Sequence, residues 1–89
     1  MRTVTIDASN IRTSAALQRY IQYVFGFPAY YGRNLDALYD MLSTLDRETR
    51  VVLCGGENAS DEMAAYLPRL ACVLRDAAEE NERLRITVL

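Results

Sequence analysis

Asp36 and Asp40 stand four residues apart in a stretch that reads as helix, so their carboxylates are neighbours on one face. Paired acids of this kind can hold a divalent cation, divide the acid and base roles of a catalytic step, or present negative charge to a basic partner. The chain has no histidine, and all ten of its basic residues are arginine. Cys54 and Cys72 fall in no metal-binding or redox spacing and read as small buried hydrophobes. Only two acids converge, and they do so on a convex helix face instead of in a cleft, which makes a carboxylate metal-binding enzyme the weaker reading. Charge contact with a basic macromolecule is the stronger one, and a merely solvated acidic face is the plain alternative.

The segment in front of the acids decides between the last two. In Phe27-Pro28-Ala29-Tyr30-Tyr31-Gly32-Arg33-Asn34, Pro28 fixes its own φ and pushes Phe27 toward extended backbone, so no helix runs into Tyr30. Gly32 is expected to supply a sharp reversal. Asn34 is a favoured N-cap, and Asp36 then falls in the first turn, at the positive end of the helix dipole. At about 100° per residue, Leu35, Leu38, Met41, Leu42 and Leu45 share one side of this helix, and Asp36, Tyr39, Asp40 and Ser43 share the other. The dipole's help fades by Asp40, which Asp36 also repels by roughly 0.2–0.5 kcal/mol. A rigid aromatic loop thus leads straight into a helix with an acidic face.

From Tyr30 to Leu42 the pattern Tyr-Tyr-Gly-x-Asn-Leu-Asp-Ala-Leu-x-Asp-x-Leu closely resembles the barstar family, small intracellular inhibitors of barnase-type secreted ribonucleases. The resemblance implies a barstar-like α/β fold with three parallel strands in the order 1-2-3. It also implies that this loop and helix plug a ribonuclease active site without catalysing anything. Asp40 would enter the phosphate pocket and meet the enzyme's arginines, with Asp36 beside it. Tyr30, Gly32, Asn34, Leu35 and Tyr39 would surround them, Ser43 lies on the same face, and Asp76 aligns with a further acid that reaches the enzyme. Two residues depart from barstar itself: Tyr39 replaces a tryptophan and Arg33 a glutamate, changes that bear on the partner's identity more than on the class of function and that leave an interaction module without ribonuclease binding as a further alternative.

The elements around this segment follow from local patterning. Arg2–Asp7 alternates and reads as a strand with one buried face. Thr13 or Ser14 can cap a helix carrying Leu17, Tyr20, Ile21 and Val24 on one side, and Gly26 can end it with Phe27 in contact behind. Tyr20 and Tyr23 belong to that helix's packing and flank. The apolar run Arg50–Cys54 suits a strand covered on both sides or flanked by other strands, and Gly55-Gly56 reads as a plain turn. Ser60 caps a further helical pattern with Met63, Leu67, Leu70, Leu74 and Ala77 along one stripe. Pro68 is expected to divide it into a short helix near 60–66 and a longer one beginning near Pro68. Leu84–Leu89 reads as a last strand. Strands separated by helices imply parallel pairing through right-handed crossovers, with the second strand in the middle.

Eighty-nine residues suggest one domain, 1–89, with a modest core. No apolar run is long enough to span a membrane, and Met1–Asp7 lacks the apolar stretch of a signal peptide, so a cytoplasmic protein is expected. Residues 1–33 carry four Arg against Asp7, a balance of +3, whereas residues 34–89 carry six Arg against eleven acids, a balance of −5. Such a surface disfavours nucleic acid as direct ligand and favours a basic protein, expected here as an extracellular-type ribonuclease in a 1:1 complex. No cofactor and no membrane partner are expected, and the free protein is expected to be a monomer.

Overall fold

The patterned stretches become β1 (Arg2–Asp7), α1 (Ser14–Phe25), α2 (Leu35–Ser43), β2 (Thr49–Cys54), α3 (Asp61–Glu80) and β3 (Leu84–Val88). These elements are those of a computed structural model that describes residues 1–89. The strands form one parallel sheet in the order β1-β2-β3, with Val4 opposite Val51 and Val51 opposite Ile86. Val4, Ile6, Val51, Leu53 and Leu84 are buried, while Thr3, Thr5, Arg50, Arg85 and Thr87 between them are exposed. The helices therefore cover one face of the sheet only. β2 holds the middle position, as expected, but Val52 and Cys54 on its other face are half-buried. Their cover comes from neighbouring strands, with Thr5 and Thr87 beside Val52, and not from a second layer.

The core is a single cluster to which α1 gives Leu17, Ile21 and Phe25, α2 gives Leu38 and Leu42, and α3 gives Met63, Leu70, Leu74 and Ala77. Tyr20 extends from α1 to the free edge of β1, where its hydroxyl donates to the Thr5 carbonyl (3.2 Å) and lies 3.5 Å from the Asp7 amide. An exposed strand edge is an invitation to pair with other chains, and this contact occupies part of it. Gly55 turns the chain after β2 at φ +85°, hard against Asp7 and Ser9, where a side chain has no room.

Two sequence expectations need correction. α3 is one helix of 20 residues with Pro68 inside it. Pro68 faces solvent, as does Ala64 one turn earlier, so the carbonyl that loses its donor is within reach of water. On the opposite side, Met63 before the proline and Leu70, Ala71, Leu74 and Ala77 after it remain in one buried stripe that holds the axis together. The cysteines are not core residues either: Cys54 is half-buried and Cys72 exposed, because position 72 falls off that stripe.

The N-termini of α1 and α3 are tied to each other. The Ser14 amide and hydroxyl both donate to the Glu62 carboxylate (2.6 and 2.8 Å), and the Ser60 hydroxyl donates to the Arg12 carbonyl (2.7 Å). The two Ser14 donors hold the Glu62 carboxyl below its ordinary value of 4.5, the backbone contact first, and Ser9 lowers Asp7 likewise, its hydroxyl first and its amide second. A folded-state value below the unfolded one means the stabilisation is complete above the ordinary carboxylate range and is lost as pH falls through the depressed value. Melting temperature should accordingly drop on acidification below about pH 4.5. In Glu62→Gln the neutral-pH melting temperature should be lower and the acid slope shallower, which thermal denaturation across pH would measure.

Candidate partner-docking face

α1 ends in a left-handed Gly26 (φ +71°), with the Phe27 amide bonded to the Gln22 carbonyl (3.0 Å) and the Gly26 amide to that of Tyr23 (3.2 Å). This closing pattern leaves Phe27 stacked on Phe25, ring centres 4.9 Å apart, and tilted against Tyr31 at the same separation. The Tyr31 amide donates to the Pro28 carbonyl (3.0 Å), making a turn with Ala29 and Tyr30 at its tip. The two tyrosines then part company: Tyr30 is 82% exposed and Tyr31 only 4%. The Tyr31 hydroxyl donates to the buried Gln18, whose amide donates to the Tyr66 hydroxyl (2.7 Å). Burial, with a smaller contribution from Tyr66, pushes the Tyr31 hydroxyl far up, so it stays protonated as a donor. One tyrosine anchors the loop and the other is presented.

A second glutamine, one turn along α1, clamps the same loop from outside. Gln22 donates to the Pro28 carbonyl (2.9 Å) and accepts from the Arg33 guanidinium (2.9 Å), spanning the loop's two ends. The reversal expected at Gly32 occurs instead at Arg33, the one non-glycine residue with positive φ (+56°). Gly32 instead allows close packing: a Cβ there would lie 3.1 Å from that of Ala37, a tight contact, and 3.4 Å from the Asn34 side-chain nitrogen. A left-handed arginine costs on the order of 1–3 kcal/mol, so the loop is held in place by its surroundings and not by local preference.

Asn34 caps α2 as expected, its Oδ1 accepting from the Ala37 amide (2.7 Å). Leu38 and Leu42 are buried, Leu35, Met41 and Leu45 half-buried, and Asp36 and Asp40 exposed. Tyr39 departs from the expected polar side: it is half-buried against the core cluster. Its hydroxyl is pushed up by burial first and then by Glu80, Asp76, Asp40 and Glu79. The acids at the end of α3 and Asp40 thus each act on the Tyr39 hydroxyl. Ser43 is half-buried, donates to the Asp40 carbonyl (3.3 Å), and borders a shallow depression with Glu79 and Glu80. Asp36 lies toward the other end of α2, in a depression with Arg33 and Arg69.

Glu79 and Glu80 were legible only as charges on a helix flank. Their spacing of three and four from Asp76 was the available signal, since it sets all three on one side of α3. Asn81 carried no signal of its own. Its buried amide donates to the Leu42 and Leu45 carbonyls, both at 2.9 Å, and so holds the C-terminal end of α2 from the end of α3. No group of three or more acids or cysteines is placed to hold a metal ion.

The two-layer α/β fold thus presents a stiff aromatic loop followed by a helix whose outer surface carries two exposed carboxylates. Residues 1–89 match the family model described as Barstar (barnase inhibitor), and the chain belongs to the barstar family. It is similar to a protein of Bacillus subtilis (strain 168) named "Putative ribonuclease inhibitor YrdF", with 33% identity over 81 residues, 90% of this chain and 89% of that one. The resemblance carried by Tyr30–Leu42 therefore runs the length of the chain.

Proposed function

We propose that this protein is the cytoplasmic immunity protein of a secreted, barnase-type microbial ribonuclease, whose active site it blocks in a one-to-one complex. The observation that carries the reading is the exposed Asp40 on α2, behind a clamped aromatic loop, with Glu79 and Glu80 beside Ser43 at the same end of the helix. On a preorganised helix these carboxylates stand in for substrate phosphates and accept charge-assisted hydrogen bonds from the enzyme's arginines and lysines. Tyr30 and Tyr39 add flat contact area, and the clamps on Pro28, Tyr31 and Arg33 reduce what must be ordered on binding.

The test is inhibition of RNA cleavage across a panel of small microbial ribonucleases by the purified protein, with stoichiometry from light scattering. Inhibition of a barnase-type enzyme at one-to-one supports the reading, and failure to inhibit any member overturns it. The acidic face also implies steering: association should be fast at low salt and slow markedly toward physiological ionic strength, where charges are screened beyond about 8 Å. Stopped-flow association rates would check this, and a salt-independent rate would contradict electrostatic capture.

A further inference from the structure

The depression between α1, α2 and α3 contrasts with the acidic end of the docking face. It encloses about 370 Å³ and is bordered by Ser14, Gln18, Arg33, Asp36, Tyr66 and Arg69, so two guanidinium groups share it with one carboxylate. Both arginines are braced by neutral groups. Arg33 gives its Nε–H to Gln22, which leaves its four terminal N–H donors for other partners. The Arg69 guanidinium lies 5.8 Å from the centre of the Tyr66 ring, and the Tyr66 hydroxyl is in turn fixed by Gln18. The positive end of the α2 dipole opens on the same space at Asn34 and Leu35.

Position is the second argument. Arg33 immediately precedes the cap of the docking helix, and its left-handed backbone is maintained at a cost that an ordinary surface arginine need not bear. Against a uniformly basic enzyme surface a cation here would weaken binding. It makes sense opposite an acid.

We propose that this depression receives a carboxylate side chain of the partner ribonuclease, held by Arg33 and Arg69, and that the contact selects among enzymes whose active sites are otherwise alike. The proposal rests on the docking face being the ribonuclease-binding surface. The interface then has two charge zones of opposite sign, acidic at the C-terminal end of α2 and basic at its start, which fixes the orientation of the enzyme as well as its distance. Planar guanidinium groups suit a carboxylate because they can bind both of its oxygens at once.

The experiment compares wild type with Arg33→Ala, Arg69→Ala, Gln22→Ala and Asp40→Ala against a ribonuclease that the wild type inhibits. Melting curves are recorded for each variant. Arg69→Ala should weaken inhibition about tenfold or more with melting unchanged; Arg33→Ala should weaken it as much with melting lowered no further than in Gln22→Ala, which loses the same clamp but keeps the guanidinium and should inhibit better. Replacing the acids on the enzyme's surface around its active site by lysine, one at a time, should reproduce the loss at one position. Arg33→Glu should recover affinity for that enzyme variant alone. Unchanged or tighter inhibition by both arginine variants, with Asp40→Ala still impaired, would overturn the carboxylate site while leaving the inhibitor reading in place. If the wild type inhibits no ribonuclease, both fall together.

Discussion

Asp40→Ala should abolish most of the inhibition while leaving the free protein as stable as before, or slightly more so. In the free protein the carboxylate is exposed, stands beyond the first turn of α2, and shares its surroundings with Asp76, Glu79 and Glu80. Its removal relieves repulsion and breaks no internal side-chain contact essential to the fold. In the proposed complex the same group would be buried against enzyme cations, and deleting one member of such a set strands the others at a cost of at least about 2–5 kcal/mol. A large penalty at the aspartate in this place is implied by the family resemblance; the opposite signs of the folding and binding effects follow from the exposed acidic surroundings. Glu57→Ala, in the turn after β2, is the control. Inhibition constants and melting curves measured together decide the matter. If Asp40→Ala inhibits as well as Glu57→Ala, or loses inhibition only in step with loss of fold, α2 is not the active-site plug.

Asn81→Ala should have the largest effect on stability among the polar substitutions, lowering it by roughly 2–3 kcal/mol. The amide group donates to two carbonyls at the end of α2, that of Leu42 (which also accepts from the Leu45 amide at 3.3 Å) and that of Leu45, and its own oxygen accepts from the Arg83 amide (3.0 Å). Alanine removes all three bonds in a site only 6% exposed, and the Leu42 carbonyl keeps only the longer contact from Leu45. For a domain of this size the loss corresponds to about 10–20 °C in melting temperature. Asn81→Asp distinguishes hydrogen bonding from packing, since it preserves shape and the contact to Arg83 but turns an acceptor toward two carbonyls. It should be at least as destabilising as alanine. Equal stability of Asn81→Asp and wild type in thermal melts would show that the two donated bonds contribute little.

Features set by neighbouring residues were legible in the chain. Thr13, Asn34 and Ser60 cap the helices that follow them, and Gly26 ends α1, because capping depends on a side chain and the few amides next to it. The sheet order followed from three short β-patterns separated by helices and from the apolar run in the second. Features set by distant packing were not legible. Pro68 breaks a helix in isolation, yet here a buried stripe on both sides of it keeps α3 whole. Arg33 takes the conformation expected of Gly32 because Gln22, eleven residues earlier, holds its side chain. Tyr30 and Tyr31 are identical by type and adjacent, and only the location of Gln18 makes one an anchor and the other a contact. The acids around Tyr39 are likewise gathered by the packing of α2 on α3, across more than thirty residues of sequence.

That packing also orders events during synthesis. α2 rests chiefly on α3, and its last turn is closed by an amide 39 residues further along the chain. While the ribosome has delivered only the first half of the protein, the loop already has Gln18 and Gln22 of α1 to hold it, but α2 has no α3 to rest on. The inhibitory surface would come into being late and in one step, when the end of α3 reaches back to the end of α2. A chain ended before Asn81 would then lack the closure of α2 and, on the proposed reading, should not inhibit at all.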